Sequence, residues 1–152
     1  SKSLRGVLSL WKTYNLTTEL AIFKKHQRMK LHPDASNAYA IQSYSDEGVV
    51  VNGISQIGPL LLCSVKGPQK WSAESFENLS QASFDELLPF GPELVLFGSG
   101  KRIRFPSPKL IQGLIHKRIG VETMDNGAAC RTFNVLAGEG RHVVLALIPH
   151  KD

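Results

Sequence analysis

Long apolar runs are missing from this sequence. No stretch approaches the roughly 18 to 20 consecutive apolar residues that a membrane-spanning helix needs, and residues 1–28 lack the unbroken apolar core of a secretory signal. Cysteine is scarce as well. Cys63 and Cys130 are too far apart for a CxxC redox or zinc motif, and each falls in an apolar segment, so they read as reduced core residues of an intracellular protein; spacing alone leaves a disulfide open. The five histidines, His26, His32, His116, His142 and His150, show no HExxH or other close ligand spacing, so no metal is expected. A basic body is lacking too. Residues 1–28 hold six basic side chains against Glu19 alone, which equals the +5 of the whole chain, and leave residues 29–152 with 12 basic and 12 acidic residues. The pI of about 9.4 therefore belongs to the leading arm and gives no support to a nucleic-acid-binding face on the body.

What remains has the length and balance of one compact domain: 152 residues, 42% hydrophobic and 20% charged. The expected organisation is a basic arm over residues 1–28 followed by a single domain over residues 29–152. In the arm, Leu4, Val7, Leu8 and Trp11 recur at helical spacing with Lys2, Arg5 and Lys12 elsewhere around the helix. Three readings stand for it: residues preceding a natural start at Met29, an organelle transit peptide, or an arm that binds a partner or a membrane surface.

From Ala38 to Ser43 and from Val49 to Val51 the pattern is that of short strands around the turn Asp46-Glu47-Gly48, and Asn52-Gly53 predicts a type I′ hairpin. Leu60 to Val65 reads as a strand ended by Gly67-Pro68. Ser83-Phe84-Asp85-Glu86 predicts a capping box opening a short helix that stops before Pro89. Leu94 to Phe97 is apolar throughout, as in a strand covered on both faces. Ser107-Pro108 predicts a helix start, with Leu110, Ile111, Leu114 and Ile115 inward and Gly113 close to the sheet. Val121 to Met124 is the next strand. Asp125 or Asn126 then caps a helix that turns Ala129, Cys130, Phe133 and Leu136 inward and closes at Gly138, before a last strand from Val143 to Ile148. Residues 93–148 thus read as β-α-β-α-β, which implies parallel strands, and the hairpins before them make the sheet mixed. The fold expected is α/β, a single three-layer domain with a mixed central sheet.

The stretch "LVLFGSGKRIRFPSPKLIQG", Leu94 to Gly113, invites comparison with a phosphate loop. A Walker loop needs Ser or Thr after Gly100-Lys101, where Arg102 stands, and the dinucleotide fingerprint needs a third glycine where Ile103 stands. Ser99 is not a nucleophile elbow, because Phe97 occupies the first glycine position of GxSxG. Ser99, Lys101, Arg102, Arg104 and Ser107 remain the candidate contacts for an anion or small ligand. The simpler reading is a solvated face, in which alternation puts the three charges in water and Ile103 and Phe105 against the core. Cys130 beside Arg131 would be an activated thiol if exposed, but its apolar neighbours argue for packing. No catalytic constellation emerges and no cofactor is expected.

Three segments carry a family resemblance: Gly98-Ser99-Gly100, the run Asp125 to Asn134 with its Ala-Cys-x-Thr-Phe-Asn core, and Glu139-Gly140-Arg141 leading into the final strand, with Val51-Asn52-Gly53 and Trp71 in the first half. Over Ala38 to Pro149 the chain resembles the Mth-domain family, which includes the mitochondrial respiratory complex I assembly factor three, the adipogenesis-associated Mth-domain-containing protein and uncharacterised bacterial homologues. That resemblance implies a three-layer α/β domain, no established catalytic activity, and for the mitochondrial relative a role in complex I assembly through protein partners. Lys101-Arg102-Ile103-Arg104 looks closer to bacterial members, so the assembly role is an analogy of fold. The function expected is a non-enzymatic protein-interaction domain, an assembly or scaffold factor with a protein partner, with a small anionic-ligand-binding protein or enzyme as the alternative. The location expected is the bacterial cytoplasm, or the mitochondrion if residues 1–28 are a transit peptide.

Overall fold

Turn chemistry sets the first three strands. In the computed structural model, which describes residues 39–149, β1 (Ile41–Tyr44), β2 (Gly48–Val51) and β3 (Ile54–Ile57) form an antiparallel meander. Asn52 and Gly53 join β2 to β3 at φ 48° and 84°, the left-handed pair that a two-residue type I′ turn requires. The basic arm, its apolar stripe, Met29 and the expected strand start at Ala38 lie outside the described residues.

The remaining strands are β4 (Leu60–Cys63), β5 (Gly67–Lys70), β6 (Leu94–Gly98), β7 (Gly120–Met124) and β8 (Val143–Leu147). They form a five-stranded mixed sheet in the order β5-β4-β8-β6-β7. β6 runs parallel to both β7 and β8, while β4 is antiparallel to β5 and β8. The early hairpins are thus divided between two sheets. Only β4-β5 joins the central sheet, and the meander pairs within itself. Gly67-Pro68 does not merely end a strand but opens β5, where Gly67 adopts φ 92° and the proline sits on an edge that can spare its N–H.

Among the described residues three α-helices complete the α/β fold. In α1 (Gln81–Asp85) the capping box lies one turn earlier than expected: Ser80 Oγ accepts from Ser83 N–H, and Ser83 Oγ accepts from Ser80 N–H. Serine does here what glutamate does in the commoner box, and Glu86 instead accepts from the Ser72 hydroxyl. After Ser107, which makes no side-chain cap bond, Pro108–Ile111 is a 3₁₀ turn that leads into α2 (Gln112–His116). Leu114 of α2 is fully buried, but Ile115 faces solvent at 55% exposure. Gly113 makes its close approach to α1 rather than to the sheet, since a Cβ there would meet Asp85 Oδ1.

α3 (Asn126–Gly138) is capped by Asp125, whose carboxylate accepts from Ala128 N–H at 2.9 Å, and buries Ala129, Cys130, Phe133 and Leu136 as expected. The helix closes at Gly138 as expected, and the left-handed residue that follows its cap is Gly140 at φ 82°. Gly140 N–H donates to Ala137 O and Arg141 N–H to Leu136 O, a Schellman motif.

The central sheet separates two cores. Leu60, Leu62, Leu96, Leu145 and their neighbours pack under α3 and the meander. Leu61, Cys63, Val95, Phe97 and Val144 pack on the other face against Trp71, Phe84, Leu87 and Leu114. Cys63 and Cys130 are both free and fall in different cores, so the disulfide left open by spacing is not formed.

Candidate functional site

The turn after β6 meets the first turn of α3 at the carboxyl ends of the parallel strands. Its glycines serve closure. Gly100 N–H donates to Asn126 Oδ1 at 2.9 Å, Gly100 O accepts from Asn126 N–H at 2.8 Å, and Asn126 Nδ2 donates to Ile148 O at 2.7 Å. One buried side chain therefore ties the turn to the helix and to the end of β8. A Cβ at Gly98 would collide with that same amide and with Leu147.

Of the five candidate contact residues, Ser99 is fully buried. Its Oγ donates to Arg102 O at 2.8 Å, lies 3.3 Å from Met124 O and accepts from Arg104 N–H at 2.9 Å. Arg104 lies half-buried along the surface, donating to exposed Glu77 at Oε2, 2.9 Å away, with its guanidinium 4.3 Å over the Phe76 ring. The Glu77 carboxyl is held below the usual carboxylate range by its own backbone amide and then by Arg104. Lys101, Arg102 and Ser107 are exposed.

Alternation fails in this loop. Ile103 and Phe105 were expected against the core, yet they are 52% and 76% exposed, while Arg104 between them is directed to Glu77 and Phe76. Lys101, Arg102 and Ile103 are exposed in succession, so the segment does not follow a period of two, and the Glu77 carboxylate and the Phe76 ring set where the Arg104 side chain lies.

The other sequence candidates resolve as framework. Burial pushes the Cys130 thiol up to about 12, against the opposing pull of the Arg131 cation, so it is a packed thiol rather than a nucleophile. Thr132 Oγ1 donates to Met124 Sδ. Asn134 lies within α3, where its amide accepts from Ile41 N–H and donates to Ile41 O, both at 2.8 Å, and so clips β1 onto α3. Sequence reading missed that role. An asparagine in mid-helix, where it is a poor helix former, was the available signal. Arg141 pairs with Glu93 at 2.5 Å, as a surface ion pair should. Among the described residues no cluster of three or more His, Cys, Asp or Glu could hold a metal, and no helix is long and apolar enough to cross a membrane.

A second surface lies on the meander. Among the described residues β3 pairs only with β2, and Ile54 and Ile57 on it are 65% and 63% exposed. Tyr44 of β1 reaches Gly127 in the first turn of α3. It also borders, with Ile57, a shallow groove of about 80 Å³, little room for a small-molecule ligand.

Comparison with known proteins places these features in context. The family described as "Protein of unknown function (DUF498/DUF598)" matches residues 41–148. Among curated proteins, NADH dehydrogenase [ubiquinone] 1 alpha subcomplex assembly factor 3 of Xenopus tropicalis is 30% identical over 136 residues, covering 87% of this chain and 73% of that protein. The Bos taurus protein of the same name is 33% identical over 130 residues, covering 84% and 70%. Among solved structures, a Bordetella parapertussis protein superposes with a TM-score of 0.70 at 28% identity, covering 76% of this chain and 98% of that one. A Bordetella pertussis protein described as an Mth938-like domain gives 0.67 at 24% identity, covering 75% and 87%, a likeness of fold.

Proposed function

The chain belongs to the DUF498/DUF598 family, the Mth-like family that includes the complex I assembly factor 3 proteins, and from that premise we propose a non-enzymatic protein-interaction domain acting as an assembly or scaffold factor. The observation that carries the reading is the β3 edge. Sheets present unpaired backbone groups at their edges, and native proteins blunt them with proline, lysine or inward-pointing charge. β5 carries Pro68 and Lys70. On β1, Asn134 takes up both backbone groups of Ile41. On β7 lies half-buried Glu122, whose carboxyl is pushed up by desolvation. β3, with the sequence Ile-Ser-Gln-Ile, has no such guard and shows two isoleucines to solvent. That is a template on which an extended segment of a protein partner adds a strand.

Affinity purification with mass spectrometry from cells that express the chain tests this. The wild-type chain recovers a reproducible protein partner, and Ile54→Lys/Ile57→Lys loses it while keeping its fold. Absence of any partner, or equal recovery by the variant, overturns the proposal. The domain proposed to carry this role is residues 29–152, with residues 1–28 as an arm. The proposed location is the bacterial cytoplasm, or the mitochondrion if the arm is a transit peptide.

A second reading rests on three exposed polar side chains sharing one loop: an anion held by Lys101, Arg102 and Ser107. Phosphate at about 100 times its dissociation constant would add roughly 2.7 kcal/mol to stability. A melt that shows this gain, and loses it in Arg102→Ala, supports the anion site; a flat melt retires it.

A further inference from the structure

The 98–107 turn is pinned from beneath and inverted on top. Ser99 Oγ fastens Arg102 O and Arg104 N–H, Asn126 fastens Gly100, and Glu77 with Phe76 fastens the Arg104 side chain. The arginine is therefore held along the surface by Glu77 and Phe76, while the apolar residues on either side of it, Ile103 and Phe105, project into solvent. Around them Lys101, Arg102 and Lys109 are exposed. Glu77 has Arg104 as its partner, and the Asp125 carboxylate is engaged as the cap of α3. The tip is thus an apolar pair with a cationic flank, on a scaffold whose ordering entropy is spent at folding.

We propose that residues 101–105 form a wedge that enters the surface of an anionic lipid bilayer, with Phe105 and Ile103 among the upper acyl carbons and Lys101 and Arg102 against headgroup phosphates. Two side chains supply far less than the roughly 1,200 Å² that a specific protein interface buries. They do match what interfacial anchoring uses, which is a few apolar groups sunk about 5–10 Å with cations facing anionic lipid. A single wedge binds weakly and reversibly, and stable attachment takes a second signal. The sequence holds a candidate in residues 1–28, with its stripe of Leu4, Val7, Leu8 and Trp11 and its net charge of +5. The proposal concerns a surface distinct from the β3 edge and stands or falls separately from it.

Co-sedimentation of the full chain with phosphatidylcholine vesicles, with and without phosphatidylglycerol, tests it. Binding is expected only with the anionic lipid. Ile103→Ser/Phe105→Ser should weaken it about tenfold or more, and Lys101→Ala/Arg102→Ala about fivefold per charge. Both variants should keep the wild-type melting temperature, since all four side chains face solvent. In a Trp11→Phe/Phe105→Trp chain, lipids brominated high on the acyl chain should quench the new tryptophan beyond any effect on buried Trp71. Unchanged partitioning of the Ile103→Ser/Phe105→Ser variant overturns the wedge, as does absence of quenching at position 105. Two further results also overturn it: inorganic phosphate displacing the protein from vesicles at constant ionic strength, which marks a free-phosphate site, or poly-glutamate binding as tightly as the vesicles, which marks an acidic protein surface.

Discussion

Asn126 shows how much one side chain can hold. Its amide joins Gly100 N–H to Ile148 O inside the protein, so Asn126→Ala strands a buried donor and a buried acceptor. At about 1–3 kcal/mol for each orphaned group, the variant should lose roughly 2–6 kcal/mol in urea denaturation. A loss under about 0.5 kcal/mol would mean that the turn closes without it. Cys130 makes a second case. With its thiol pushed from 9.0 up to about 12 by burial, it should resist alkylation at pH 8 in the native protein and react on unfolding, as read by mass spectrometry. The sign of the linked stability follows. Below pH 9 both states keep the proton and the contribution is complete. From about pH 9 the unfolded thiol ionises first, so the contribution falls as pH climbs toward 12. These two residues also differ in legibility. The apolar setting of Cys130 was visible in its neighbours, whereas the reach of Asn126 was not, because both of its partners are distant in sequence.

At the scale of elements, the end of α3 separates two glycines that look alike in sequence. Gly138 is helical with open space where a Cβ would go, so Gly138→Ala should stabilise by about 0.5–1 kcal/mol. Gly140 has equal space but φ 82°, so Gly140→Ala should destabilise by about 1–2 kcal/mol through backbone strain alone. Thermal melts of the pair, shifting in opposite directions, check the assignment. Helix existence was legible here from Asp125 and the spacing of the buried residues, and so was its end at Gly138; that Gly140 supplies the left-handed residue beyond the cap was not, since that depends on the last turn's dihedral angles. The capping box shifted from Ser83 to Ser80 for a related reason, as a hydroxyl at the third helical position satisfies the cap as well as a carboxylate does.

For the whole molecule, the sheet is the element both cores share. Leu61 and Leu62 are adjacent on β4 and fully buried, yet they point into opposite clusters. Leu61→Ala and Leu62→Ala should each cost about 2–5 kcal/mol. Because one sheet backs both cores, each should lower a single transition in which Trp71 fluorescence and far-UV circular dichroism coincide, measured in a Trp11→Phe background. Separate transitions for the two probes would show that the cores fold independently.

Because periodicity and turn chemistry are local properties of the chain, the sequence by itself determined the left-handed Asn52-Gly53 turn, the burial of the Leu94–Phe97 strand on both faces and the parallel β-α-β-α-β unit, though not β5. Only the tertiary structure decided that the meander closes its own sheet, that β4 lies beside β8, that Asn126 and Asn134 are clips, and that Ile103 and Phe105 face outward while Arg104 turns to Glu77. Periodicity says which side of a segment is apolar; what covers that side, or leaves it bare, is set by partners that folding brings from elsewhere in the chain.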